Sequence, residues 1–221
     1  MKSGNYYADS HIFGLGAKIA TRWIDVAQIA DFRSTDHVLD MGCAEGSISF
    51  EVAKLVMQVQ GVEIKSYRVE CARRQAAQRK VKNVVFTVGS VVEYPLPEQT
   101  YDVVLYLGVM GKGDLGAQTD LRNLERLLLA TRRQIIIRVN VQSGHAKFLP
   151  LLSIIEAMNQ HGFDAICFSR IGPIGNLIVG NRRGTDARLR TVPPLVLVPT
   201  EHMRDHSCLR GAQIGSFGDF A

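Results

Sequence analysis

Apolar positions along the chain fall into two rhythms. Short runs rich in Val and Ile read as strands: "HVLDM" (37–41), "QVQGVE" (58–63), "VVFTVG" (84–89), "YDVVLYLG" (101–108) and "RQIIIRVNV" (133–141). Between them the apolar residues take helical spacing, in "SISFEVAKLVM" (47–57), from Ser66 to about Lys80, in "AQTDLRNLERLLLAT" (117–131) and in "AKFLPLLSIIEAMNQHG" (146–162). Gly162 closes the last of these as a helix C-terminus. Strand and helix patterns in alternation predict an α/β fold, a parallel sheet with helices on both faces. The final two strand patterns, "DAICFSR" (164–170) and "NLIVGN" (176–181), are separated only by "IGPIG". So short a link permits antiparallel pairing but no parallel crossover. The pattern therefore predicts a mostly parallel sheet with one antiparallel C-terminal hairpin at its edge.

Two flanks lie outside this sheet domain of residues 36–181. Residues 1–35 form an N-terminal arm with an amphipathic helix from about Gly16 to Ala30, where Ile19, Trp23, Val26 and Ile29 or Ala30 share a stripe. Residues 182–221 form a C-terminal extension of mixed polarity. No apolar run approaches the roughly 20 residues needed to span a bilayer. The start, "MKSGNYYADSHIFG", lacks the basic and apolar regions of a signal peptide. The four cysteines are scattered, with no paired spacing, so reduced thiols and a cytoplasmic setting are the expectation. In the tail, "HMRDHSC" (202–208) spaces two histidines by four residues but offers no clear fourth ligand, and no metal is expected.

Charge sharpens the picture. The net charge is +5, and much of the excess sits in "KSYRVECARRQAAQRKVK" (65–82). That stretch is either a solvated helix face or an electrostatic surface for nucleic acid, and no RNA-binding motif accompanies it. A different signal comes from "VLDMGCAEGS" (38–47), an apolar run ending in Asp40 and followed by a glycine turn and a helix. This arrangement places a nucleotide cofactor at the strand's C-terminal edge. Glu63 ends the next strand, where an acidic side chain can take ribose hydroxyls. Two cofactors compete for the turn. A dinucleotide would bring its pyrophosphate within a few ångström of Asp40 and Glu45, where like charges repel. S-adenosylmethionine carries a sulfonium and an ammonium and no phosphate, so the acidic turn favours it.

These stretches resemble a known family. "VLDMGCAEGSISFEVAK", "GVEIKS" (61–66) and "VGSVVEYPLPEQTYDVVLYLGVM" (88–110) are similar to the successive motifs of class I S-adenosylmethionine-dependent methyltransferases, and the resemblance covers about residues 36–181. It implies a Rossmann-like seven-stranded sheet ending in an antiparallel hairpin. It further implies that Gly42, Ala44 and Gly46 surround the methionine part and that Asp40 holds its ammonium. Glu63 would bind the ribose hydroxyls, Ile64 would pack on the adenine, and Ser90 and Val91 would flank the adenine edge. Leu107 would contact the methionine chain. Two positions depart from the family pattern. Ser90 stands where many relatives have Asp, and Ala44 replaces a glycine, which suits the turn if its φ is negative.

The acceptor is less legible. Methyl transfer to a hydroxyl needs a general base, whereas a neutral amine needs little help. No N-P-P-Y or D-P-P-Y sequence is present. His145, after the fifth strand, and His11, in the arm, are the candidate catalytic residues, while Tyr106 reads as core. The leading expectation is a methyltransferase acting on a small molecule or glycan at O or N. The alternatives are an RNA-modifying methyltransferase, a non-catalytic protein on the same fold, and a dinucleotide-dependent oxidoreductase.

Overall fold

The computed structural model describes residues 23–110, 116–139, 151–168 and 176–188. Strands β1 (His37–Met41), β2 (Gln58–Glu63), β3 (Val84–Val88), β4 (Tyr101–Leu107), β5 (Thr131–Val139), β6 (Phe163–Phe168) and β7 (Asn176–Arg182) form one sheet in the order β3-β2-β1-β4-β5-β7-β6. The first five are parallel, and β7 runs antiparallel to both β5 and β6. The hairpin predicted from the short link is thus present. Its chain order puts β7 inside and β6 at the edge. The helices are α1 (residues 23–29), α2 (Ser47–Val52), α3 (Ser66–Arg79), α4 (Ala117–Ala130) and α5 (Leu151–Gln160).

Alternation along the strands divides the core into two layers. Val38, Val59, Val103 and Leu105 pack with α1, α2 and α3 residues such as Val26, Ile29, Phe50 and Val69. Leu39, Met41, Val62, Val104 and Tyr106 pack on the other face with Leu124, Leu127, Leu128, Ile154 and Met158 of α4 and α5. Tyr106 is fully buried there, as its strand position suggested.

The helix read over 47–57 stops at Val52. Leu55 N–H turns back to Val52 O at 2.8 Å, and Met57 and Gln58 N–H donate to Asp36 O. Asn83 Nδ2 donates to the carbonyls of Ala53 and Val56 at 2.8 and 3.1 Å. These bonds replace the last helical turns and steer the chain directly into β2. An apolar pattern alone does not reveal that competition.

The N-terminal edge of the sheet is closed by a buried ion network. Arg133 on β5 places Nη2 2.6 Å from both Asp36 carboxylate oxygens and Nη1 2.8 Å from Asp31 Oδ2. Gln134 accepts from Asp31 N–H at 2.9 Å and donates to Asn181 on β7. Arg33 joins Asp31 to Asp186. The chain entering β1 is thereby tied to β5, β7 and the segment beyond them. Burial holds the Asp36 carboxyl above its ordinary range, against the pull of Arg33 N–H and Arg133. Truncating Arg133 would leave that carboxylate buried without its cation, holding only the Arg33 N–H, at a cost of about 3–5 kcal/mol. Arg133→Ala should therefore melt about 10 °C below the parent at pH 7. The double variant Arg133→Met/Asp36→Leu should recover much of that loss. Equal melting of Arg133→Ala and parent would contradict this role.

Candidate functional site

The strand order reverses between β1 and β4, so the loops after them part at the C-terminal edge of the sheet. Such a point opens a crevice for ligands. Residues Gly42–Gly46, between β1 and α2, lie there. Gly42 N–H donates to Val62 O at 2.7 Å, and Gly46 N–H closes a turn on Cys43 O at 2.9 Å. Gly46 has φ +84°, and a Cβ built on it would come within 2.5 Å of the Phe86 ring. A Cβ on Gly61 of β2 would meet the same ring at 2.6 Å. The two glycines thus make room for Phe86, which also packs edge-on against Phe50 with centroids 5.5 Å apart. Gly42 is crowded from the other side, where a Cβ would lie 2.1 Å from a Val109 methyl.

Ala44 departs from the sequence expectation. Its φ is +50°, in the left-handed region, not negative. The conformation is held by Glu63: Ala44 N–H donates to Glu63 Oε2 at 3.1 Å, and Lys65 N–H donates to Oε1 at 3.0 Å. One carboxylate therefore clamps the turn after β1 to the turn after β2. That contact offsets the strain of a side chain at positive φ.

The turn is strongly acidic. Asp40, Glu45 and Glu63 are all buried. Asp40 Oδ2 accepts from Ser49 Oγ of α2 at 2.6 Å. Burial pushes the Asp40 carboxyl up to about 6, the Ser49 hydroxyl opposes that, and the Glu63 charge adds to it. The neighbouring Cys43 thiol is driven far above its ordinary range, first by burial and then by the charges of Asp40, Glu63 and Glu45. Glu45 is joined by Arg68 Nε at 3.3 Å, so it serves as a tie to α3.

Beyond β3, Ser90 O accepts from Glu93 and Tyr94 N–H, and Ser90 Oγ accepts from Val92 N–H at 3.2 Å. Residues 90–94 thus form a single compact turn on the same edge of the sheet. Val91 is buried, while Ile64, directly after β2, is 63% exposed. Leu107 is the last residue of β4 and is half-buried. Asp40, Gly42, Ala44, Gly46, Glu63, Ile64, Ser90, Val91 and Leu107 thus all lie along one edge. His145 and His11 lie outside the described residues, as does "HMRDHSC".

Two contributors escaped the sequence reading. Ser49 carries a signal only in hindsight, as a hydroxyl one turn into the helix that follows the glycines. Phe86 reads as an ordinary strand residue, and only the facing glycines betray it. The basic stretch also changes character. Arg73 donates to Phe86 O at 2.9 and 2.7 Å, and Arg74 pairs with Glu70. Arg79 bonds Gln75 and lies 4.7 Å from the Phe50 ring centre, and Arg68 holds Glu45. Arg68 and Arg73 thus tie α3 to the turn after β1 and to β3, while Arg74, Arg79, Lys65, Lys80 and Lys82 are exposed.

Residues 32–166, well over half of the chain, match the family described as "Methyltransferase domain". The uncharacterized methyltransferase YcgJ of Bacillus subtilis is 26% identical over 103 residues, which cover 47% of this chain and 39% of that protein. The demethylmenaquinone methyltransferase of Symbiobacterium thermophilum is 31% identical over 104 residues, covering 45% of this chain and 41% of its own. The chain therefore spans about two fifths of the curated relatives' length. Among solved structures, magnesium protoporphyrin IX methyltransferase from Synechocystis, with bound SAM, superposes with a TM-score of 0.59 at 16% identity, over 82% of this chain and 86% of that one. The chain belongs to the methyltransferase-domain family, and its sheet is the class I S-adenosylmethionine-dependent methyltransferase fold, whose cofactor is S-adenosylmethionine.

Proposed function

We propose that this chain transfers a methyl group from S-adenosylmethionine to a small-molecule or glycan acceptor, at oxygen or nitrogen. The observation that carries the reading is the acidic glycine turn. Asp40, Glu45 and Glu63 make a buried negative field at the point where a cofactor would lie. A pyrophosphate is repelled from such a field and a cation is attracted to it. When bound, S-adenosylmethionine supplies a methyl group on a cationic sulfonium.

The chain's own residues would divide the work. Asp40, oriented by Ser49, would receive the ammonium. Gly42, Ala44 and Gly46 would border the methionine part, with Leu107 opposite. Glu63, already fixed by two backbone N–H groups, has lone pairs left to accept from ribose hydroxyls. Ile64, Ser90 and Val91 would enclose the adenine. This positioning supplies most of the acceleration for an in-line transfer. A hydroxyl acceptor would further need a general base, and His145 and His11 are our candidates for it.

The acceptor class is supported by names among the relatives. Demethylmenaquinone and magnesium protoporphyrin IX methyltransferases both take small molecules by their names. Among the described residues no helix is long and apolar enough to cross a membrane. A cytoplasmic setting belongs to the same proposal.

Calorimetric titration tests the cofactor. The parent should bind S-adenosylmethionine and S-adenosylhomocysteine, and Glu63→Ala should weaken both by ~10-fold or more, the loss of charged hydrogen bonds. No heat at millimolar ligand would defeat the proposal. Asp40 provides a second test. Its carboxyl titrates near 6 in the fold against an ordinary value of 3.8, so the folded protein holds that proton more tightly than the unfolded chain does. The stability it contributes is complete below about pH 4 and is lost as pH rises through about 6. At pH 8 Asp40→Asn should therefore be more stable than the parent, by roughly 2 kcal/mol in denaturant melts, while binding the cofactor poorly. Parent affinity should fall as pH drops through about 6, as Asp40 loses its charge. A less stable Asp40→Asn, or an affinity indifferent to pH, would contradict this role.

A further inference from the structure

We propose that Arg126 is a positioning residue for the adenine side of the site, acting through the turn at 90–94. The inference rests on the cofactor reading above. Arg126 lies on α4, which is anchored to the sheet by Leu124, Leu127 and Leu128, all fully buried. Its Nη1 donates to Val91 O at 2.5 Å and to Val92 O at 2.6 Å. Its Nη2 donates to Tyr94 O at 2.7 Å. One guanidinium thus gathers three backbone carbonyls of a single turn.

That turn has the physics of a minimal helix. At its start Ser90 Oγ takes the Val92 N–H, and Ser90 O takes the N–H groups of Glu93 and Tyr94. At its end the carbonyls have no following turn to accept from, which is the usual deficit of a helix C-terminus. A cation there satisfies the orphan acceptors and opposes the local dipole. Arg126 supplies it from a different element, across 32 to 35 residues of sequence. A single turn is unstable in isolation, since its nucleation is unfavourable. Its shape therefore depends on the two caps. Ser90 and Val91, the residues assigned to the adenine edge, sit at the start of this turn. Fixing the carbonyls fixes their backbone.

The geometry also predicts which substitution fails. The guanidinium offers five donors in a planar fork, while an ammonium is a point charge on a flexible stem. Lysine keeps the charge but cannot span three carbonyls.

Titration of the parent, Arg126→Lys and Arg126→Met with S-adenosylhomocysteine and with adenosine separates the possibilities. Both variants should lose about tenfold in affinity for either ligand, because the loss lies on the adenosine half. Lysine should not rescue. Tight binding by Arg126→Lys, equal to the parent, would overturn this inference and leave the cofactor reading standing. Absence of binding by the parent would overturn both. Hydrogen exchange on the parent needs no variant to fold: S-adenosylhomocysteine should slow exchange at the Glu93 and Tyr94 amides. Unchanged exchange there, with ligand bound, would also overturn it.

Discussion

The structure turns on a carboxylate that water cannot reach. Asp40 lies at the C-terminal end of β1, next to the last residue Met41, where the sheet's strand order reverses, and it is buried with a serine hydroxyl as its partner. Burying such a charge costs free energy unless a partner compensates it. Here the neighbouring charges, Glu63 and Glu45, carry the same sign. The fold holds this cluster together through other contacts: Glu63 on two backbone N–H groups, Glu45 on Arg68, and Phe86 wedged between Gly46 and Gly61. A site kept negative at a cost to stability is prepared for a cation.

The rest of the sheet serves to keep that edge in register. Five parallel strands bring the turns after β1, β2, β3 and β4 to one side. The opposite edge is closed by Arg133, Asp36, Asp31 and Gln134, so polar groups at the two ends do different work. At the far end cation and carboxylate match, and the network braces. At the near end three buried carboxylates are met by one cation, Arg68, with hydroxyl and backbone N–H groups for the rest. Arg126 and Arg68 link the two helix layers to the loops of the site, which makes loop shape depend on packed helices.

Much of this was legible in the sequence. β1 and β2 fall on the residues that their apolar runs mark, and the short hairpin link forced the antiparallel pair. The acidic glycine turn was visible because its residue types conflict with a phosphate ligand. What stayed hidden depends on contacts between distant segments. Asn83 and Asp36 end the helix after Val52, and neither signals this from its own neighbourhood. Ala44 takes a positive φ because Glu63, nineteen residues on, holds its N–H. Arg126 looks like any surface arginine of an amphipathic helix, and only the folded chain brings three carbonyls to it. Periodicity reports which face of an element is buried, and it is silent on which polar groups meet across the fold.

The central claim is that the buried negative turn selects a cationic, phosphate-free cofactor. Parallel titration of the full chain with S-adenosylmethionine and with a nicotinamide dinucleotide, at pH 8 where Asp40 is charged, tests it directly. The selection predicts saturable binding of S-adenosylmethionine and none of the dinucleotide at the same concentrations. Equal or tighter binding of the dinucleotide would contradict it.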